Sequence, residues 1–170
     1  MGNVDTVARF TLVAEQFCAI VDSCPNLSRD ELIAQVYSTL PKLIDQAICM
    51  PDVELDDSDE EASDRFGQRE NTRLGHEEWQ RLYHILGENL GDWNAYRQVF
   101  DPIFDTELIG GSLADDLADI YRDLKEGLVT NESCTASPED KIWGWRFSFC
   151  THWGKHAIDA LSVLHTRLHQ

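Results

Sequence analysis

His152 and His156 stand four residues apart in a chain of 170 residues. On a helix that spacing brings both imidazoles to one face, within reach of a single metal ion. The preceding stretch repeats the device with carboxylates, because Asp115 and Asp119, and again Asp119 and Asp123, are four apart. A His-x-x-x-His helix laid against an Asp-x-x-x-Asp helix can hold a divalent metal in a bundle core. The ligands this implies are His152, His156 and Asp119, and the implied cofactor is a divalent metal. The competing account is structural. Both rings then belong to an aromatic-rich core with their N–H groups satisfied by a carboxylate or carbonyl. The aspartates are then solvated charge, with Asp115 serving as a capping carboxylate.

A third feature is Arg146, which falls on an otherwise apolar helical arc. A guanidinium there must find an acceptor, since an unpaired buried charge costs about 3–5 kcal/mol. Asp101, Asp105, Glu107 and Asp119 are its candidate partners, and the expectation is a pairing with the 101–107 loop that fixes it over one end of the bundle. Other chemistries find less support. His76-Glu77-Glu78 opens like a zinc-protease helix, but the fifth residue is Gln80 and the second histidine is missing. There is no nucleophile elbow around Ser148 or Ser162, and Gly110-Gly111-Ser112 lacks a phosphate-loop ending. Asp56, Asp57 and Asp59 lack the glycine and final glutamate of a calcium loop.

The elements that must position these residues read as helices. Ser137, Pro138 and Asp140 form a helix start, and from there Ile142, Trp145, Phe149, Trp153, Ala157, Ala160, Leu161, Leu164 and Leu168 recur at helical spacing through residues 138–169. Before it, Ser112 caps a helix whose inward face is Leu113, Leu117, Ile120, Leu124 and Leu128. Asp115, Asp116, Asp119, Arg122, Asp123 and Glu126 share an opposite arc of roughly 120°. At the other end of the chain, a helix over 4–24 turns inward Val4, Val7, Thr11, Ala14, Phe17, Cys18 and Val21, and stops at Pro25. Ser28 and Glu31 form a capping box for a second helix, with Leu27 stapled to Leu32. Pro41 lies inside that helix and predicts a kink or break. Another helix spans 76–87. Trp93, Tyr96 and Phe100 continue in helical spacing as core packing, until Asp101-Pro102 ends the run. Residues 101–112 read as a loop with a flexible glycine pair. No strand-period alternation and no internal repeat is present. The fold class is all-α: a single helical domain over 1–170, a bundle of five or six helices, with a helical hairpin in 1–50 and a helical core in 75–170.

Between these halves, Pro51 to Asp64 holds eight carboxylates and no base, which predicts an acidic mobile loop over 51–74. The formal charge of −17 opposes nucleic-acid binding and favours a basic protein partner, with solubility as the bland explanation. Five cysteines without a C-x-x-C pair indicate reduced thiols in a cytoplasm. No secretory signal or membrane span is visible.

The run Val99-Phe-Asp-Pro102, the stretch Gly111-Ser-Leu-Ala-Asp-Asp-Leu-Ala-Asp-Ile-Tyr-Arg-Asp-Leu-Lys125, and His152-Trp-Gly-Lys-His156 with Ala160-Leu161 and Leu164-His165 resemble the bacterial domain-of-unknown-function family DUF5063. The resemblance spans roughly residues 93–168. It implies a small helical bacterial protein and brings no catalytic residues with it, but its motifs fall on the residues that the spacing singles out. The sequence favours a non-catalytic binding or adaptor protein whose acidic surface meets a basic partner. The alternative is a metal-dependent hydrolase with His152, His156 and carboxylates between Asp101 and Asp119 as ligands. A DNA mimic, with carboxylates spaced like phosphates, is a third option.

Overall fold

A computed structural model of the chain describes residues 2–53, 75–99, 101–132 and 137–170. From residue 54 on, the acidic stretch expected to be a loop lies outside the described residues, as does Phe100. The elements run α1 (Asn3–Asp22), α2 (Arg29–Ile48), α3 (His76–Leu90), β1 (Ala95–Val99), β2 (Leu108–Ser112), α4 (Leu113–Glu132), α5 (Pro138–Ser148), a π-helical turn (Phe149–Trp153) and α6 (Gly154–His169). The fold is predominantly helical, with one small sheet.

Helix α1 buries Phe10, Ala14, Phe17, Cys18 and Val21. Val4 is not on that stripe, being 67% exposed, and Phe10 takes over as the outermost anchor at 0%. A short 3₁₀ turn over Cys24–Asn26 holds Pro25 and leads into α2. Ser28 starts that helix with a complete capping box: its Oγ accepts from the Glu31 N–H, and the Glu31 carboxylate accepts from the Ser28 N–H at 2.9 Å. Pro41 neither ends nor splits α2, which runs unbroken to Ile48. Pro41 is exposed, so the carbonyl it deprives of a partner lies on the side where water can serve.

The stretch expected to be a further helix through Trp93, Tyr96 and Phe100 is instead a turn and a strand. Gly91, at φ 53°, breaks away from α3 in a conformation that only glycine adopts cheaply. Trp93 then sits in a 3₁₀ turn and Tyr96 in β1. The supposed flexible glycine pair is the second strand of an antiparallel hairpin, with Tyr96 opposite Gly111 and Val99 opposite Leu108. Gly111 is there for space rather than flexibility, since a β-carbon on it would overlap the Tyr96 ring. Only five residues pair on each side, and two glycines remove the alternation by which strands are read.

Asn94 ties this hairpin to α4. Its side-chain oxygen accepts from the Ala114 N–H (2.8 Å) and the Ser112 hydroxyl (3.0 Å), and its carbonyl accepts from the Leu113 N–H (2.9 Å). Ser112 caps as expected too, accepting from the Asp115 N–H at 3.3 Å. Helix α4 is central, in contact with α1, α3, α5 and α6. Leu113, Leu117, Ile120 and Leu124 are fully or almost fully buried.

The last long stretch has the predicted start, with Ser137 and Asp140 forming a second capping box behind Pro138. It is not one regular helix. The Gly154 N–H donates to the Phe149 carbonyl five residues back, and the intervening π turn separates α5 from α6. Ile142, Trp145, Trp153, Ala157, Ala160 and Leu164 are buried as the periodicity predicts, whereas Leu168 is 41% exposed. Phe10 packs against the rings of Trp145 (4.6 Å between centroids) and Trp153 (6.1 Å), which joins α1 to α5 and to the π turn.

Candidate metal centre

The polar arc of α4 does not face water. A helix with neighbours on four sides has no wholly solvated face, so Asp116 and Asp119 are buried, 3% and 8% exposed. This overturns the expectation that the arc opposite Leu113 and Leu117 is solvated charge. Burying carboxylates without partners is costly, and here each has several.

Asp116 accepts from the Tyr96 hydroxyl through Oδ2 (2.7 Å), and its Oδ1 lies 2.9 Å from His156 Nδ1. Asp119 accepts through Oδ1 from the Trp79 indole N–H (3.0 Å) and from Arg122 Nη2 (2.7 Å). Its other oxygen, Oδ2, lies 3.5 Å from His156 Nε2. Asp123 Oδ2 takes His152 Nδ1 at 2.8 Å and the Ser148 hydroxyl at 3.2 Å. The two imidazoles stand edge to face, 5.1 Å between centroids.

One donor atom from each of Asp119, His152 and His156 lies within 4.8 Å of the other two. Each histidine is held at Nδ1 by its own carboxylate, Asp123 for His152 and Asp116 for His156. An Nδ1–H given to a carboxylate leaves the lone pair on Nε2, and such pairing is how metal-binding histidines are oriented and made more basic. Asp119 is held in the same way, since two donors occupy Oδ1 and leave Oδ2 toward His156. A second grouping, Asp115, Asp116 and His156, also satisfies the distance criterion. It would take Asp116 away from its supporting role, so the first set suits an ion better.

The electrostatics favour a cation. Asp115, Asp116, Asp119 and Asp123 share this face with a single guanidinium, Arg122, so with neutral imidazoles the face has three negative charges to spare. Burial raises the Asp116 and Asp115 carboxyls above the ordinary aspartate range, and the neighbouring Asp119 charge raises Asp115 further. At His156 burial disfavours the imidazolium. The hydrogen bond and charge of Asp116, with Asp119 and Asp115 behind it, outweigh that and leave its pKa raised. A proton and a metal ion therefore compete for His156.

Of the residues singled out by spacing, Asp119, His152 and His156 meet here, with Asp115 half-buried at the margin. Asp101, Asp105 and Glu107 stand apart on the hairpin tip, where Asp101 Oδ1 accepts from the Ile103 and Phe104 N–H groups. Arg146 does not pair with that loop. It donates to the Met50 carbonyl (3.0 Å) and pairs with Asp52 (3.1 Å), because α5 packs beside the end of α2. Trp79, Tyr96, Asp116, Arg122 and Asp123 complete the site. Asp123 was legible from its four-residue spacing to Asp119, though as a ligand rather than a support, and Asp116 only as a member of the acidic arc. Trp79 and Tyr96 carried no signal beyond aromatic packing.

The fold and this site define a small helical protein with a histidine–carboxylate cluster between its central and last helices. The chain belongs to the family described as Domain of unknown function (DUF5063), which matches residues 3–170 and so extends the resemblance over the first helical hairpin. Among solved structures it is similar to protein BF1032 from Bacteroides fragilis, known from a structural genomics crystal structure. The TM-score is 0.72 at 23% identity, over 94% of this chain and 90% of that one. At that identity the likeness shows the fold. No curated protein matches the chain. No helix among the described residues is long and apolar enough to cross a membrane.

Proposed function

We propose that this protein binds a divalent transition metal through His152, His156 and Asp119, in an open centre suited to hydrolysis. The carrying observation is that both histidines are held at Nδ1 by separate carboxylates while Asp119 presents its unused oxygen to the same space. Core histidines need one partner each and no convergence. Two imidazoles and a carboxylate suit zinc, iron or manganese, and a set of three protein ligands leaves coordination positions open to water and substrate. Such an ion, when bound, supplies Lewis acidity and lowers the pKa of coordinated water toward neutrality. The chain's own residues orient the ligands: Asp116 and Asp123 fix the rings, and Trp79 and Arg122 fix Asp119.

This reading displaces the non-catalytic one as the first account of the α4 carboxylates. It also weakens a phosphate-like acidic row, since Asp116 and Asp119 are turned inward. A reducing cytoplasm is the compartment we favour, in keeping with the free thiols of Cys18, Cys24, Cys49 and Cys150.

The test is elemental analysis of untagged protein after exposure to zinc, manganese or iron(II) and removal of loose metal. His152→Ala and His156→Ala are compared with His165→Ala, because His165 and His169 form an exposed pair on α6 that could chelate independently (4.7 Å between ring centroids). One equivalent that disappears in the first two variants and survives in the third is the expected result. Folded wild-type protein that retains no metal, or variants that retain it, would overturn the assignment.

A further inference from the structure

The hairpin tip buries little of its own apolar surface. Ile103 and Phe104 are 81% and 84% exposed, and Leu108 and Ile109 beside them are 53% and 37% exposed. Single exposed apolar residues are ordinary, but Ile103 and Phe104 stand side by side at the tip, and Leu108 and Ile109 add apolar surface on the two faces of the strand that follows. The tip is also built. The Asp101 carboxylate holds the Ile103 and Phe104 N–H groups at 2.9 and 3.3 Å, and the Asp105 N–H donates to the Asp101 carbonyl at 2.7 Å. These bonds fix the turn so that both side chains project outward. Arg97 spans the strands to the Leu108 carbonyl, and Tyr96 anchors the base of the hairpin on Asp116.

Charge identifies the kind of occupant. Arg97, held to the Leu108 carbonyl, is the one basic residue from Ala95 to Tyr121, against the carboxylates Asp101, Asp105 and Glu107 around the apolar tip. A second copy would bring the same carboxylates against these, on a chain of net charge −17. A bilayer surface carries anionic headgroups and would repel them as well. A protein surface with an apolar slot and a lysine- or arginine-rich rim complements both features.

We propose that the hairpin tip, centred on Ile103 and Phe104, is a docking surface for a basic protein partner. The apolar pair is the buried anchor, and Asp105 and Glu107 contribute the charged rim. This goes beyond the metal reading and uses none of its ligands.

The probe is a fluorescent lysine-rich amphipathic peptide carrying leucine and phenylalanine anchors, with polylysine of equal charge as the control. Binding is measured by anisotropy against wild type, Ile103→Ser/Phe104→Ser, Asp105→Asn/Glu107→Gln and Leu12→Ser, the last removing an exposed apolar residue of α1 (66%). Circular dichroism checks that each variant is folded. The expected result is binding weakened about tenfold or more by either hairpin pair and unchanged by Leu12→Ser, with polylysine indifferent to the apolar pair. Equal binding to wild type and Ile103→Ser/Phe104→Ser would overturn the proposal. So would vesicles of phosphatidylserine and phosphatidylcholine, or a self-association seen in sedimentation, that depends on Ile103 and Phe104.

Discussion

His156 Nδ1 lies 2.9 Å from Asp116 Oδ1, and the other oxygen of the same carboxylate takes the Tyr96 hydroxyl at 2.7 Å. One buried carboxylate thus joins the β-hairpin to the last helix through a titratable ring. Asp116→Asn keeps the shape and removes the charge that supports the imidazolium. The pKa of His156, followed by NMR, should fall toward or below its ordinary value of 6.5, because burial then acts with less opposition. Affinity for zinc should fall about 10–100-fold, as for loss of a supporting partner to a metal-binding histidine. A variant with an unmoved histidine titration would show that Asp116 has no hold on the ring.

The same raised pKa sets a pH dependence with opposite signs for the two states of the site. In the metal-free protein, His156 is protonated more readily folded than unfolded. Its stabilising contribution is therefore fully present below 6.5 and is lost as pH rises through the raised folded value. Metal binding needs the neutral ring, so zinc affinity should rise with pH over that interval and level off above it. Thermal melts with and without zinc, from about pH 5 to about pH 9, should show the metal-induced gain in stability growing with pH. A gain independent of pH, or one that shrinks, would remove His156 from the ligand set.

The sequence revealed the helices wherever apolar periodicity was long and capped. Ser28 with Glu31 and Ser137 with Asp140 marked two starts correctly, since a capping box is local chemistry that needs no knowledge of neighbours. The hairpin was hidden because it is short, contains two glycines and spaces Trp93 and Tyr96 three apart as a helix would. The site was half legible. His152, His156 and Asp119 could be read from spacing, because positions four apart share a helix face. The supporting groups could not, because Trp79 and Tyr96 arrive from other elements. The burial of Asp116 also depends on how many neighbours surround α4. Arg146 shows the same limit: the need for a carboxylate was readable, but which one depended on where the end of α2 lies.

Gly127 lies inside α4 where a helix would ordinarily gain about 0.8–1 kcal/mol from alanine. A β-carbon there would overlap the six-membered ring of Trp145, which is 3% exposed and packed, tilted by 57°, against Phe10 at 4.6 Å between centroids. Displacing a packed indole costs about 1–3 kcal/mol, so the helical gain is outweighed. Gly127→Ala should lower the unfolding free energy in urea by up to about 2 kcal/mol. Stabilisation would mean that Trp145 can move aside freely.

Phe10 bears on the same cluster from α1. Its ring is 0% exposed and packs against Trp145 of α5 and Trp153 of the π turn. Phe10→Ala leaves a void that cannot collapse without moving α1 against α5, and a loss of about 3–5 kcal/mol is expected from urea denaturation. A loss under about 1 kcal/mol would place the anchor of the first helix elsewhere on its stripe.

Gly154 connects backbone geometry to the site. Its N–H reaches the Phe149 carbonyl across five residues, and a β-carbon on it would overlap both that carbonyl and the Phe149 ring. The close approach is produced by the π turn, in which His152 itself lies, while His156 follows in the regular helix. A side chain at Gly154 would push the chain toward α-helical bonding, and losing one turn's extra residue rotates His152 relative to His156. Gly154→Ala is therefore expected to do two things that ordinary core damage does not combine. It should cost about 1–3 kcal/mol in urea, and it should reduce zinc affinity at a temperature where the variant remains fully folded. Gly127→Ala serves as the control, since it perturbs the neighbouring Trp145 without touching the π turn. Equal effects of the two glycine variants on metal affinity would mean that the π turn has no special part in aiming His152.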